Sequence, residues 1–264
     1  MKKERLDALL MNRALFESRA KAQAAIMAGQ VLVNEQKIDK PGTPVAPDVQ
    51  MRLLGNKLPF VSRGGLKLAK ALQIFPISVE GKVVADIGAS TGGFTDCALQ
   101  NGAAKVYAID VGYGQLAWSL RSDSRVVVLE KVNARYLTEE QVPELADFIV
   151  TDASFISLKK LVPHLISFLK EDGAFVSLIK PQFEAGKEKV GKKGVVRDPA
   201  VHKEVICDLL AFFEEQKLSV EKLTFSPIKG PEGNREYLVL LRKNGGVYEP
   251  PDVDALVAKA FEEI

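Results

Sequence analysis

The apolar residues of this chain follow two successive patterns, and the change between them comes near residue 60. Over residues 4–29 they recur at helical spacing, which predicts two short helices. Two short segments, 31–34 and 37–39, then predict strands joined by a tight turn. Residues 40–60 hold four prolines, which suits the last strands of a small domain and a connector. The first part of the chain is therefore predicted to be a helical pair on a small sheet.

From residue 81 onward, apolar strand patterns alternate with helical ones. Five strands, with helices between them, are expected near residues 82–87, 105–110, 125–130, 146–151 and 173–179. Such alternation predicts a parallel sheet with helices on both faces. Two last strands, near 219–226 and 235–242, are joined by a turn too short for a parallel crossover, so they should pair antiparallel. The expected fold class is α/β, with a mostly parallel seven-stranded sheet that ends in an antiparallel hairpin.

These patterns divide the chain into three regions. We expect a small α+β domain over 1–60, an α/β domain over 61–243, and a peripheral tail with a short helix over 244–264. No apolar stretch approaches the ~20 residues needed to cross a bilayer, and the first residues lack the apolar core of a signal peptide. We therefore expect a soluble, cytoplasmic protein, in which Cys97 and Cys207 are buried free thiols.

The formal net charge of +2 conceals an uneven distribution. Residues 1–60 hold ten Lys or Arg against six Asp or Glu, whereas the rest of the chain holds 26 against 28. A modest basic surplus is typical of a solvated surface as well as of nucleic-acid binding. The surplus therefore indicates nucleic acid only if the sequence pattern around it does.

The first predicted parallel strand runs into a glycine-rich turn and then a helix. Gly88, Gly92 and Gly93 allow a tight turn and a close approach of the backbone to a ligand. Asp86 at the end of this strand suits a cationic group, and Asp110 at the end of the next strand suits the hydroxyls of a ribose. This combination favours a nucleotide cofactor over a tight turn without a ligand.

The loop leaves two cofactors open. Ser90 stands where the dinucleotide fingerprint has its middle glycine, which counts against NAD. An acid two residues before the first glycine suits the ammonium and sulfonium of S-adenosylmethionine better. Phe94 could shield a sulfonium or pack beneath the loop, and Asn133 could contact adenine or cap the next turn. The loop alone favours S-adenosylmethionine only moderately.

Four polar residues fall at the ends of predicted elements, where this fold gathers an active site. They are Lys67, Asp152, Lys180 and Glu236. Singly, each suits a structural role as well as a catalytic one. Together they resemble, in order and in local sequence, the Lys-Asp-Lys-Glu tetrad of RNA ribose 2′-O-methyltransferases of the FtsJ-like group. The resemblance implies a class I methyltransferase domain that uses S-adenosylmethionine, with Lys180 as the base and both acids orienting the lysines and the ribose.

The N-terminal segments Arg5–Leu10, Ser18–Ala22 and Ile26–Glu35 resemble the S4 RNA-binding domain. The pairing of this domain with an FtsJ-like domain is typical of the TlyA or hemolysin A family. In that family the basic helix face meets structured RNA, through phosphates and RNA shape. The residues that this resemblance implicates here are Arg5, Arg13, Arg19, Lys21 and Lys37.

The resemblance implies a ribosomal RNA 2′-O-methyltransferase acting on cytidine riboses in the small subunit, the large subunit or both. The alternative is a non-catalytic RNA-binding or ribosome-assembly factor, against which the four tetrad residues argue. Hemolysin activity is suggested only by the family name. His164 and His202 have no second ligand at metal spacing, so no metal is expected. The basic segment 187–197 could clamp RNA phosphates or be a solvated loop, and the oligomeric state is not predicted.

Overall fold

The structure is a computed structural model that describes residues 3–16, 18–54, 58–243 and 252–264. The chain divides into two compact units, Met1–Leu58 and Pro59–Ile264. Each unit has its own hydrophobic core.

The first unit is a pair of short helices with short strands. Its elements are β1 (Glu4–Arg5), α1 (Leu6–Asn12), α2 (Arg19–Met27), β2 (Val31–Val33), β3 (Gln36–Lys37), β4 (Pro44–Val45) and β5 (Met51–Leu53). Strand β2 lies between β3 and β5 in an antiparallel sheet, and β1 pairs with β4. The Ser18 hydroxyl caps α2 by accepting a hydrogen bond from the Lys21 N–H. The turn between β2 and β3 holds Asn34 and Glu35 at positive φ, as a tight hairpin requires.

The second unit is built on a seven-stranded sheet. Its strands are β6 (Val83–Ile87), β7 (Lys105–Asp110), β8 (Val126–Glu130), β9 (Ala146–Thr151), β10 (Leu169–Ile179), β11 (Ser219–Phe225) and β12 (Tyr237–Arg242). The strand order is β11-β12-β10-β9-β6-β7-β8. Strands β6 to β10 pair in parallel, whereas β12 lies antiparallel between β10 and β11. The predicted fold class, including the antiparallel end hairpin, is confirmed.

Helices cover both faces of this sheet. They are α3 (Gly65–Ile74), α4 (Gly93–Gln100), α5 (Trp118–Arg121), α6 (Leu158–Leu165), α7 (Pro181–Glu184), α8 (Pro199–Glu215) and α9 (Val253–Glu263). Alternate strand residues enter separate cores: Val84 packs with residues of α3 and α4, and Ala85 packs with residues of α6 and α8. This alternation follows from the two-residue repeat of a β-strand.

Three local expectations differ from the structure. Between β8 and β9 the only helix is the 3-10 turn Ala134–Tyr136, where an α-helix was expected. Pro143 lies within this connection and removes a backbone donor. Cys97 is buried as expected, but Cys207 is exposed because it lies on the outer side of α8. Leu15, placed by sequence in the helical pair, lies beyond the end of α1 and is exposed.

The C-terminal helix α9 packs on α8 and places Val257 and Ala260 in the core of the second unit. Residues 244–251 of the expected tail lie outside the described residues. Among the residues that the structure describes, no helix combines the length and the apolar character that a membrane span needs.

Candidate active site

The topology brings the predicted polar residues to one edge of the sheet. Strands β6, β7, β9 and β10 are parallel, so their carboxyl ends meet at the same edge. Asp152 follows β9 directly, and Lys180 follows β10. Strand β12 runs the opposite way, so Glu236, which precedes it, reaches this edge from the strand's beginning. Lys67 comes from the first turn of α3.

The four residues form a continuous chain of ion pairs. The Lys67 ammonium lies 2.7 Å from Glu236 Oε2 and 3.0 Å from Asp152 Oδ2. The other oxygen of the same carboxylate, Asp152 Oδ1, lies 2.6 Å from the Lys180 ammonium. All but Asp152 are buried, so water screens these pairs weakly. Asp152 thus bridges the two lysines.

Each lysine has a distinct set of partners. Burial alone would lower the pKa of the Lys67 ammonium, but the charges and hydrogen bonds of Asp152 and Glu236 outweigh it and raise that pKa above its usual value. Lys67 is therefore a permanent cation at neutral pH. Lys180 Nζ donates to the backbone carbonyl of Asp152 at 2.9 Å and to Ser154 Oγ at 3.0 Å, besides its ion pair with Asp152.

A cavity of about 530 Å³ opens onto these four residues and onto the glycine-rich loop. A second cavity of about 440 Å³ extends along the ends of β6 and β7 and contains Asp110 and Asn133. Both volumes fall in the range of small-molecule sites. Residues that line both cavities are Gly88, Ser90, Asp152, Ser154 and Phe155. The two cavities therefore share a wall, with the tetrad in one and the predicted ribose-binding acid in the other.

Asp86 lines the larger cavity and is fully buried. Its Oδ2 accepts a hydrogen bond from the Thr95 hydroxyl at 2.7 Å, but no group of the described residues bonds to its Oδ1. Burial raises the pKa of the Asp86 carboxyl to about 7; the Thr95 hydrogen bond opposes this, and the charges of Asp152 and Asp110 add to it. A buried carboxylate oxygen without a donor fits a cationic ligand group, such as an ammonium.

Asp110 holds the glycine-rich loop as well as facing the second cavity. Its two oxygens accept hydrogen bonds from the backbone N–H groups of Ser90, at 2.8 Å, and Gly112, at 2.6 Å. Each carboxylate oxygen keeps a further lone pair for a ligand hydroxyl. Ser90 adopts a left-handed φ of 50°, and its hydroxyl donates to the Gln115 side chain at 3.3 Å.

The glycines of the loop are required for different reasons. Gly88 has a φ of 83°, which favours glycine, and lines both cavities. A Cβ on Gly93 would lie 2.3 Å from Ser62 Oγ, so close packing against the turn before α3 excludes a side chain there. Gly92 lines neither cavity, and a Cβ on it would lie 2.2 Å from the Leu120 side chain. Gly92 therefore serves packing of the loop, whereas Gly93 packs closely and also lines the larger cavity.

The sequence left two roles open for each of Phe94 and Asn133, and the structure shows features of both roles. Phe94 is buried in the core beneath α3 and α4 and also lines the larger cavity. Asn133 caps the 3-10 turn, since its Oδ1 accepts a hydrogen bond from the Arg135 N–H at 3.1 Å, and it also lines the second cavity.

Sequence reasoning missed Phe155, the most exposed large apolar side chain of the site. It is 92% exposed and lines both cavities. Its φ of 63° is unusual for a bulky residue, and its ring lies 5.2 Å from that of Phe183. The only signal in the sequence was an apolar residue in a polar strand-end loop.

In the first unit, the predicted RNA-binding residues differ in their surroundings. Arg5 and Arg19 both bond the buried carboxylate of Asp7, at 2.9 and 3.1 Å. These contacts, led by the Arg5 hydrogen bond, hold the pKa of Asp7 well below its usual range. Arg13 donates to the backbone carbonyls of Val49 and Pro47. The arginines therefore brace this unit while parts of Arg5 and Arg19 stay exposed.

Lys21 and Lys37 lie on α2 and β3, and both are exposed. In the described parts of the chain, no group of three or more His, Cys, Asp or Glu side chains is arranged to hold a metal ion. His164 bonds the Leu137 carbonyl at 2.8 Å, and His202 is buried beneath β12.

Comparisons with known proteins agree with this geometry. Residues 60–243 match the FtsJ-like methyltransferase family, and residues 4–50 match the S4 domain. The protein named "Putative rRNA methyltransferase YqxC" from Bacillus subtilis is 53% identical, over 92% of this chain and 87% of that protein. The "16S/23S rRNA (cytidine-2'-O)-methyltransferase TlyA" of Mycobacterium tuberculosis is 44% identical, over 91% of this chain and 90% of that protein.

A solved structure named "Putative hemolysin from Streptococcus thermophilus" is 46% identical, with a TM-score of 0.77, over 100% of this chain and 97% of that chain. The resemblance predicted from the sequence is confirmed. The chain belongs to the FtsJ-like methyltransferase family, with an S4 domain near its N-terminus.

Proposed function

We propose that this protein transfers a methyl group from S-adenosylmethionine to the 2′-hydroxyl of a ribose, that of a cytidine, in ribosomal RNA. The observation that carries the proposal is the Lys67–Asp152–Lys180–Glu236 chain of ion pairs beside the glycine-rich loop. The relatives named as ribosomal RNA methyltransferases support the substrate, and the M. tuberculosis relative supports cytidine and either subunit.

The residues around the loop fit S-adenosylmethionine. The free oxygen of Asp86 suits its ammonium, and Asp110 suits its ribose. Gly88, Ser90 and Phe94 would line its path, with Asn133 toward the base. When bound, this cofactor supplies a methyl group on a positively charged sulfur.

The four polar residues have different roles in the reaction of the ribose. A 2′-hydroxyl is a weak acid, so a base must take its proton as the oxygen attacks. We assign this role to Lys180, whose buried side chain lines the larger cavity beside the glycine-rich loop. Only its neutral amine can accept the proton, and the ammonium that results is stabilised by Asp152 and Ser154. Lys67 stays charged, and Asp152 and Glu236 orient the lysines and the ribose. Fixing the reacting groups in line supplies much of the remaining acceleration.

The S4 domain supplies docking to the ribosomal subunit. Arg5, Arg19, Lys21 and Lys37 would contact phosphates, while Arg13 serves mainly to brace the domain. In this proposal residues 1–60 bind RNA and residues 61–243 carry out the reaction. A ribosomal substrate also implies work in the cytoplasm.

The test is methyl transfer from labelled S-adenosylmethionine to purified ribosomal subunits that lack the modification. Label should enter ribosomal RNA at one or two cytidines, which primer extension maps. After alkaline hydrolysis the label should remain in a dinucleotide, because a methylated 2′-hydroxyl cannot cleave the neighbouring phosphodiester. Label on a base, or no label despite RNA binding, would contradict the proposal. The second result would favour a non-catalytic assembly factor.

A further inference from the structure

The segment that follows α7 forms a basic hairpin beside the active site. The Gly191 N–H bonds the Val195 carbonyl at 3.1 Å, and the Gly194 N–H bonds the Gly191 carbonyl at 2.8 Å. This arrangement places Lys192 and Lys193 at the exposed tip. We call residues 190–197 the basic arm.

Two buried side chains, Asn234 and His202, hold the basic arm in place through its backbone. The Asn234 amide accepts a hydrogen bond from the Val196 N–H at 3.1 Å and donates one to the Gly194 carbonyl at 2.8 Å. His202 Nε2 lies 3.0 Å from the Val196 carbonyl, and its Nδ1 lies 2.9 Å from the Tyr237 hydroxyl. Both polar groups of one backbone residue, Val196, are therefore held by side chains.

The protonation state of His202 follows from these partners. A carbonyl can only accept, so Nε2 carries a hydrogen, and Nδ1 accepts from the Tyr237 hydroxyl. Burial lowers the pKa of the His202 imidazole, and nearby Arg235 adds to this, while the Val196 hydrogen bond opposes it. The ring therefore stays neutral at physiological pH and can hold both contacts.

Asn234 and His202 connect the arm to the residues of the tetrad. Asn234 and Tyr237 flank Glu236, which pairs with Lys67. Gly194 and Asn234 line the same cavity as the tetrad, so the two tip lysines stand beside that cavity. Within the described parts of the chain, neither Lys192 nor Lys193 has an ion-pair partner. Two uncompensated cations on a fixed hairpin next to the reaction site suit a polyanion better than an isolated small anion.

We propose that the basic arm binds phosphates of the RNA strand that carries the target ribose, and that His202 and Asn234 are positioning residues which hold it in register with Glu236. The inference rests on the proposed function, because RNA is the occupant that it names. The arm must be held rigidly, because a small displacement of the bound RNA strand lowers the rate of a reaction that needs three atoms in line.

The first test replaces both tip lysines, Lys192→Ala and Lys193→Ala, in the full chain. Its probe is binding of unmodified ribosomal subunits across a range of salt concentrations. The slope of log affinity against log salt should fall by roughly 0.7 to 0.9 for each phosphate that the variant no longer binds, and so by about 1.5 for the pair. The matched control, Lys222→Ala with Lys259→Ala, removes two exposed lysines that line neither cavity and should leave the slope unchanged.

The second test asks whether His202 acts through the arm. His202→Phe keeps a ring between Tyr237 and Phe261 but cannot bond Val196, so it should weaken subunit binding and lower kcat/KM without changing cofactor affinity. His202→Gln keeps a donor toward Val196 and should restore much of the binding. In the Lys192→Ala, Lys193→Ala background, His202→Phe should have little further effect on subunit binding.

The outcomes separate this inference from the function on which it rests. If wild-type protein methylates subunits but the tip variant keeps the wild-type salt slope, the arm does not bind RNA. If His202→Phe and the tip variant act additively, His202 is structural only. Failure of the wild type to methylate a ribose contradicts the proposed function, whatever the salt slopes show.

Discussion

Asp86 shows how one buried side chain can couple cofactor binding to pH. Its pKa of about 7 means that the folded, cofactor-free protein keeps this carboxyl protonated where an unfolded chain, with a usual value of about 4, has released the proton. The unfolded state therefore binds fewer protons between these values. Stability of the cofactor-free protein should fall as pH rises through this window, and Asp86→Asn should remove that fall.

The raised pKa of Asp86 also predicts a pH dependence of ligand affinity. A ligand ammonium favours the ionised carboxylate, so S-adenosylhomocysteine should bind about tenfold more tightly at about pH 8 than at about pH 6. Calorimetry on wild type and Asp86→Asn measures this, and titration of the ligand's own amine is common to both proteins. Equal pH dependence in the two proteins would show that Asp86 does not meet the ammonium.

Asp110 carries a second prediction at the residue scale. Asp110→Ala should weaken cofactor binding by ~1.5–3 kcal/mol, the usual contribution of hydrogen bonds to a charged group. The variant also frees the Ser90 and Gly112 N–H groups, so Asp110→Asn, which keeps one acceptor oxygen, is the matched comparison. Unchanged affinity in Asp110→Ala would mean that another residue holds the ribose.

The sequence predicted the residues of the tetrad but not their contacts. Four polar residues at element ends could be recognised from order and local motif, and parallel strands bring such ends to one edge. That Asp152 bridges both lysines depends on side-chain placement, which no spacing encodes. Phe155 was missed for a related reason, because its exposure and positive φ are properties of the folded loop.

At the scale of elements, the helices of the first unit are joined by the buried carboxylate of Asp7. Arg5 before α1, together with Arg19 and Gln23 on α2, donates to it. Asp7→Asn should destabilise this unit by ~1.5–3 kcal/mol, since it removes a charged acceptor from two arginines. Hydrogen exchange of α1 and α2 in the full chain measures this.

The sign of the pH effect distinguishes this network from that of Asp86. The pKa of Asp7 is depressed, so its contribution is present above the unfolded value of about 4 and disappears as pH falls below it. Lys37→Ala is the control, because it removes a surface charge without touching Asp7. Equal protection of α1 and α2 in wild type and Asp7→Asn would contradict the bracing role.

Element prediction succeeded where periodicity was strong and failed in the connection from β8 to β9. Five strands of the large sheet were placed from the alternation of strand and helix patterns, and the last two, β11 and β12, were rightly expected to pair antiparallel. The connection from β8 to β9 was taken for a helix because its neighbours are helical, but it forms only a 3-10 turn. Likewise, helix periodicity alone could not show that Cys207 lies on the outer side of α8.

At the scale of the whole molecule, the proposed function assigns separable tasks to the two compact units. A protein reduced to residues 59–264 should keep its affinity for S-adenosylhomocysteine, because the loop, Asp86 and Asp110 all lie in that unit. It should methylate intact subunits poorly, since the proposed phosphate contacts of the S4 domain would supply much of the affinity. Calorimetry and labelled methyl transfer test the two statements, and full activity of the shortened protein would refute the docking role.

In the proposed reaction Lys180 abstracts a proton from a ribose hydroxyl, and Lys180→Arg tests this step most directly. Arginine keeps the positive charge but cannot act as a base at any working pH. The measurement is single-turnover methyl transfer to unmodified subunits, read as label in an alkali-resistant dinucleotide. Lys159→Arg, a change at an exposed lysine on α6, serves as the control.

Lys180→Arg should lower the rate by ~10²–10⁴-fold, the range for a missing general base, with cofactor and subunit affinities nearly unchanged. Lys159→Arg should match wild type. A Lys180→Arg enzyme that retains most of its single-turnover rate would contradict proton abstraction by this lysine.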